Sequence, residues 1–173
     1  MLVRTRSLFL RPLSVADAPA LFAARSDPEV MRYWDWPAQA SVGEIERIFE
    51  DHLPALGDGS ALWFAVALSP DGPAIGECDL SEIDRHHGRA ELGFLFARAH
   101  WGKGYGLEAA QALVELGFGE LGLGRLWARL HAGNEGSKRI LEKLGFAYEG
   151  TLKGHVVRDG ERRDCLIYGK LRD

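Results

Sequence analysis

Two periodicities alternate along this chain. Leu8-Phe9-Leu10-Arg11-Pro12-Leu13 reads as a first strand, and Asp17 to Arg25 as a short helix, because Ala18, Leu21 and Phe22 recur at helical spacing. A second helix is predicted from Val42 to about Leu56, capped by Ser41, with Ile45, Ile48, Phe49 and Leu53 on its buried face; Gly57-Asp58-Gly59 ends it. Strands follow over Leu62–Leu68, Ala74–Leu80 and Arg89–Phe96. The first two form a hairpin through Ser69-Pro70-Asp71-Gly72-Pro73, where proline fixes φ and glycine supplies positive φ. A long helix is predicted from about Gly104 to Leu121. Its polar residues Glu108, Gln111 and Glu115 make one narrow stripe, so most of its surface must be covered, as it would be against a sheet. Arg125–His131 reads as a strand and Glu135–Leu144 as a helix stopped by Gly145; Tyr148–Val157 and Arg162–Leu171 read as strands joined through Asp159-Gly160.

The order β-α-α-β-β-β-α-β-α-β-β groups strands early and places a strand–helix–strand crossover late. That predicts a mixed sheet in an α+β or α/β sandwich. No repeat, low-complexity tract or linker divides the chain, and 173 residues suit a single domain over 1–173. With 46% apolar and 27% charged residues, it can build a core without staples. The balance of 21 Lys+Arg against 25 Asp+Glu, net −4, argues against a dedicated binder of nucleic acid or anionic membrane and suits a cationic substrate such as an amine. No apolar run reaches the ~18–20 residues of a membrane span. The start, Met1-Leu2-Val3-Arg4-Thr5-Arg6, lacks the apolar stretch of a secretory signal. Cys78 and Cys165 are too few for a disulfide framework and match no zinc spacing, and the histidines show no metal spacing either. The expectation is a cytoplasmic protein without a metal.

The most informative stretch is Trp101-Gly102-Lys103-Gly104-Tyr105-Gly106-Leu107-Glu108-Ala109, between a strand and the long helix. Glycines this dense add backbone entropy that folding must remove, and make sense where a ligand approaches exposed amides. The first helical turn leaves N–H donors unpaired at the positive end of the helix dipole, which suits a phosphate or pyrophosphate, and Lys103 can add a point charge. A tight turn without a ligand is the plainer alternative. A Walker loop fails because Gly104, not Ser or Thr, follows Lys103. Gly104-x-Gly106-x-x-Ala109 fits the relaxed dinucleotide fingerprint, which would make a small NAD(P)-dependent oxidoreductase. The next strand, however, ends at His131 with no acidic residue, and too little chain follows to complete such a domain.

The segment Ala90-Glu91-Leu92-Gly93-Phe94, the glycine turn, and then Asn134-x-x-Ser137-x-x-Ile140-x-x-x-Leu144-Gly145-Phe146 together resemble the GNAT acetyltransferases. The resemblance is strongest to their branch acting on ribosomal-protein N-termini (RimJ/RimL-like). Leu8-x-Leu10-Arg11-Pro12-Leu13 and Asp27-Pro28-Glu29-Val30 fit that branch, so the similarity spans nearly the whole chain. It implies a GNAT fold, with a mixed, mostly antiparallel central sheet of about six to seven strands, flanking helices and a splayed, V-shaped cofactor slot. It also implies acetyl-CoA as co-substrate, an amine acceptor and, since members often pair, the option of a homodimer. Acceptors span peptide N-termini and small amines such as amino acids, polyamines and antibiotics.

By this resemblance Leu95, Phe96 and Ala97 pair their backbone with the pantetheine arm, and one of their N–H groups polarises the thioester carbonyl. The amides from Gly102 through Lys103, Gly104 and Tyr105 to Gly106 hold the pyrophosphate, with Trp101 where this branch commonly carries tryptophan. Many members use a tyrosine to protonate the departing thiolate; Leu141 stands there in this chain, and Ser137 is the surrogate. The missing tyrosine leaves open a non-catalytic acyl-CoA-binding protein. Asn134 is placed as a helix N-cap and as a contact to the coenzyme. Glu91 leads the candidates for general base, ahead of Glu77 and Asp79; strand alternation puts Glu91 and Gly93 on one face without saying which face meets the slot. Tyr33-Trp34-Asp35-Trp36-Pro37 falls where the family puts its acceptor pocket. There Tyr33, Trp34 and Trp36, with an acid between them, suit a cationic amine by cation–π attraction of about 0.5–2 kcal/mol; packing under the helices or in a dimer contact is the alternative. His86-His87 and the arginines Arg158, Arg162 and Arg163 read as solvated.

Overall fold

A computed structural model describes residues 1–173. Its elements are β1 (Val3–Arg4), β2 (Phe9–Pro12), α1 (Ala18–Arg25), α2 (Val42–Asp58), β3 (Leu62–Ala67), β4 (Gly76–Asp84), β5 (Arg89–Phe96), α3 (Tyr105–Phe118), β6 (Arg125–His131), α4 (Glu135–Lys143), β7 (Ala147–Arg158) and β8 (Glu161–Leu171). The strands form one sheet in the order β1-β2-β3-β4-β5-β6-β8-β7. Every neighbouring pair is antiparallel except β5 and β6, which run parallel because α3 carries the chain across between them. The expected mixed, mostly antiparallel sheet is therefore present, with eight strands. The additional one, β1, spans only two residues, too few to show a period.

Several boundaries move for local reasons. The second helix continues to Asp58 and stops where Gly59 turns left-handed at φ 76. Leu53, read as part of its buried face, is 48% exposed. The fourth strand starts at Gly76 instead of Ala74 and extends to Asp84 through a bulge, with Glu82 at φ 48. The long helix ends at Phe118, shorter than its apolar run suggested.

Alternation along the strands sends side chains to two layers. Cys78, Leu80, Leu92, Phe96, Leu126 and Leu130 pack with Leu113 of α3 and Leu141 of α4 in the larger core. On the opposite face, Ala65 packs beneath Leu21 of α1 and Ile45 and Phe49 of α2. Glu77 shares that second face and is 4% exposed. It survives there because Arg25, at the end of α1, donates to it through Nε (2.9 Å) and Nη2, and sits over the rings of Phe49 (5.2 Å) and Trp63 (5.6 Å). None of the helices is long and apolar enough to cross a membrane.

Removing one member of this pair leaves the other buried and uncompensated. Glu77→Ala is expected to lower the unfolding free energy by about 3–5 kcal/mol, read by urea denaturation.

Candidate functional site

The site begins where two strands stop pairing. The partners Arg89↔Arg125, Ala90↔Leu126 and Glu91↔Trp127 complete the contact between β5 and β6; beyond them the strands diverge. From Leu92 onward, β5 has no strand partner on that side, so its backbone groups there are available to something else. Two cavities open in the gap. One of about 520 Å³ lies toward the glycine turn, and one of about 280 Å³ toward the end of β6. Tyr33, Trp34, Phe94, Asn134 and Ser137 border both, so the cavities meet at the start of α4.

The larger cavity takes Leu95 and Phe96 from β5, and Trp101, Gly102, Gly104, Tyr105 and Gly106 from the turn into α3. Gly102 (φ 74) and Gly104 (φ 82) adopt the left-handed backbone that favours glycine, and a Cβ on either would meet nothing within 4 Å. The turn therefore presents amides to open space at a helix N-terminus. Gly106 has a different reason: a Cβ there would lie 3.1 Å from Ile140 Cδ1, so its absence lets α3 approach α4. The Trp101 indole donates to the Phe96 carbonyl at 2.9 Å and ties the turn to the end of β5.

Two of the expected cofactor residues stand aside. Ala97 gives its N–H to Ile75 (3.0 Å), and the exposed Lys103 does not border the cavity. Basic side chains border it nonetheless: His100, Arg139 and Lys143, none of which the sequence reading singled out. His100 sits at the end of a single 3₁₀ turn, and its Nδ1 is buried without a partner. Arg139 and Lys143 share the face of α4 with Ile140, a helical spacing that could have flagged them.

Both faces of β5 border the smaller cavity, Leu92 and Phe94 on one and Glu91 and Gly93 on the other. The register pairs Ser81 with Glu91 and Asp79 with Gly93, so these residues share one face, and all four line the cavity with Arg129 and His131 of β6. Gly93 is required here, because a Cβ would come within 2.7 Å of Asp79 Oδ1. Neither Glu91 nor Asp79 has an ion-pair partner. Burial pushes the Glu91 carboxyl up to about 7, with the negative charge of Glu82 adding to it; burial likewise pushes Asp79 up to about 6.

Tyr33, Trp34 and Trp36 wall this cavity, with Trp36 69% exposed at its rim. The acid between them is committed elsewhere. Asp35 accepts from Arg129 (2.7 and 3.1 Å) and sits 2.8 Å from His131 Nε2, and these bonds hold its carboxyl well below the usual carboxylate range. Asp35 is therefore a tie between loop and sheet, not a free counter-charge. The solvated reading of the arginines also needs correction. Arg162 is exposed, but Arg158 is buried (8% exposed), and Arg163 donates to the Arg32 carbonyl at 2.7 Å.

At the junction, the Asn134 side chain accepts from the Ser137 N–H (3.3 Å) and caps α4, as its sequence position implied. Ser137 lies one turn into the helix, bordering both cavities, and the buried Leu141 floors the smaller one where a tyrosine was lacking. His86 and His87 are exposed in a turn, as read.

Residues 7–147 match the model of the acetyltransferase (GNAT) domain. Among curated proteins, the chain is 32% identical to the uncharacterized N-acetyltransferase p20 of Bacillus licheniformis, over 97% of this chain and 94% of that protein. It is also 32% identical to the spermidine N(1)-acetyltransferase of Escherichia coli K12, over 92% of this chain and 83% of that one. Among solved structures, the spermidine N-acetyltransferase of Vibrio cholerae, in complex with CoA and spermine, superposes with a TM-score of 0.83 at 25% identity, covering 95% of each chain. The ribosomal L7/L12 α-N-protein acetyltransferase RimL, in complex with coenzyme A, superposes with a TM-score of 0.89 at 18% identity, over 100% of this chain and 99% of that one, a likeness of fold.

The upward shift of Glu91 has a consequence for stability. A carboxyl titrating near 7 in the fold and near 4.5 when unfolded imposes no penalty below pH 4.5, and its full penalty only above about pH 7, once it is ionised. Glu91→Gln is expected to stabilise the fold at pH 8, on the order of 1–2 kcal/mol, and to change nothing at pH 4. Paired thermal melts at the two pH values check this.

Proposed function

This chain belongs to the GNAT acetyltransferase family, and on that premise we propose that it transfers an acetyl group from acetyl-CoA to a primary amine by direct attack in a ternary complex. The carrying observation is the pair of cavities meeting at Ser137 and Asn134, one fitted to an anionic cofactor and one to a cationic acceptor. The fit to the cofactor rests on the open amides of Gly102 to Gly106, the cations Arg139 and Lys143 at the rim, and the stretch of β5 beyond Glu91 that has no strand partner on the gap side. When bound, acetyl-CoA supplies an acyl group already activated as a thioester.

The residues then divide the work. The β5 edge aligns the thioester, and one of its N–H groups stabilises the negative charge that grows on the carbonyl oxygen. Glu91, ionised above about pH 7, takes the proton that makes the incoming ammonium a nucleophile, directly or through water. The amine nitrogen bonds to the carbonyl carbon, the carbon–sulfur bond breaks, and the proton shed by the new amide nitrogen passes to the departing thiolate, which the Ser137 hydroxyl hydrogen-bonds. Tyr33, Trp34 and Trp36 present ring faces to the cationic acceptor.

The acceptor this chamber favours is an amine with more than one positive centre. Asp79 and Glu91 are two half-buried carboxylates without counter-ions, and a polyamine supplies what both lack; a peptide N-terminus flanked by neutral amides satisfies only one. The 32% identity to a spermidine acetyltransferase supports this choice. Purified protein with acetyl-CoA should release free thiol when given a diamine or polyamine, and less with peptide N-termini. Release with no member of a broad amine and peptide panel would leave a cofactor-binding protein without turnover.

Two variants sharpen the assignment. Gly104→Glu forces a side chain onto left-handed backbone and sets a like charge beside the pyrophosphate site; acetyl-CoA affinity should fall at least about tenfold by calorimetry. For the base, kcat/KM should rise with pH through about 7 as Glu91 loses its proton. Glu91→Gln should remove that limb and lower kcat by about 10²–10⁴.

A further inference from the structure

Residues 33–36, which wall the smaller cavity, and the two before them are held from outside their own neighbourhood. A 3₁₀ turn over Met31–Tyr33 ends in an extended Trp34, whose N–H bonds back to the Met31 carbonyl at 3.1 Å. One side-chain nitrogen from elsewhere gathers that carbonyl and two more beyond it. Arg158 Nη1 donates to the carbonyls of Met31 (3.0 Å), Trp34 (2.6 Å) and Trp36 (3.2 Å), reaching back more than 120 residues along the chain. The other ties also come from the far half of the sheet: Arg163 to the Arg32 carbonyl, and Arg129 with His131 to Asp35.

Arg158 has little else to do. It ends β7 at the tip of the β7–β8 hairpin, whose turn places Asp159 and Gly160 at positive φ. Its Nε is buried with no partner, and its nearest acid, Asp159, lies 3.7 Å away and is exposed. A buried guanidinium with an unsatisfied nitrogen is unfavourable in itself, so its placement makes sense through the carbonyls it gathers. Its positive charge strengthens each of these hydrogen bonds, and its length carries that charge from the hairpin to the loop.

We infer that Arg158 is a positioning residue for the acceptor: by pinning the carbonyls of Met31, Trp34 and Trp36, it fixes the aromatic wall against which the amine is oriented. This rests on the reading of the smaller cavity as the acceptor chamber. It goes beyond that reading by making acceptor recognition depend on the β7–β8 hairpin, which contributes no residue to that cavity.

The test compares wild type with Arg158→Met and Arg158→Lys. Arg158→Met should raise the KM for a polyamine acceptor about tenfold or more, the scale of a lost charge-assisted hydrogen bond. It should leave kcat within about threefold and the acetyl-CoA affinity within about twofold; Arg158→Lys should recover part of the loss. Amide hydrogen exchange should accelerate over residues 31–36 and not over β5 or α3. Should Arg158→Met fail to fold, Arg163→Met, which frees the Arg32 carbonyl and gives up a 3.8 Å ion pair with the exposed Asp159, should show the same changes at smaller amplitude. Equal losses of acceptor and cofactor affinity, or exchange at 31–36 that does not change, overturn the inference. A wild-type protein that acetylates no amine overturns the proposed activity instead, and the exchange measurement then decides the positioning role by itself.

Discussion

Three residue pairs hold β5 to β6, and everything functional in this molecule follows from there being no more than three. A parallel pair that continued would satisfy the backbone of both strands and close the sheet. Here the strands separate after Glu91 and Trp127, leaving a length of β5 whose hydrogen-bonding groups have no strand to face. Buried backbone donors and acceptors without partners are costly, so such a gap persists only where something else occupies it. The wedge lies between elements that are each firmly anchored, since β5 is paired on its other side to β4 and β6 to β8. The gap is thus framed on both sides by continuous strand pairing.

The two cavities in that gap have opposite electrostatic characters, for separate reasons. Around the larger one, positive character comes from backbone, amides at left-handed glycines and the start of α3, with Arg139 and Lys143 at the margin outnumbering the one carboxylate there, Glu29. Around the smaller one, negative character comes from side chains that burial has left without counter-ions. Asp79 and Glu91 are destabilised as anions in the free protein, and a cation entering the chamber relieves that. The contrast with nearby acids is instructive. Glu77 has Arg25 and Asp35 has Arg129 with His131, so these two are structural; the remaining pair is available for chemistry.

Much of this was legible from the chain. The periods of two and near four assigned all four helices and seven of the eight strands. The dense glycines located the left-handed turn that opens α3, and Asn134 was readable as a cap because its residue type and the apolar spacing after it agree. The errors share a cause. Leu53 follows the helical period yet is exposed, and Arg158 has the composition of a solvated turn yet is buried, because burial depends on what a distant segment places above a residue. Asp35 stood between aromatics and suggested a free anion; its partners lie nearly a hundred residues away on β6.

The sequence by itself determined what is local: which segments can be helix or strand, where the backbone must turn left-handed, where helices start and stop, and which residue types are on hand. These are set by side-chain shape and backbone sterics within a few residues. Tertiary structure decided where β5 parts from β6, which carboxylates have partners, and which arginines are buried. Those depend on strand order and on the three-residue pairing of β5 with β6. Electrostatic energy and desolvation act through space, so the chemical character of Glu91, Asp79, Asp35 and Arg158 was fixed only when the fold chose their neighbours.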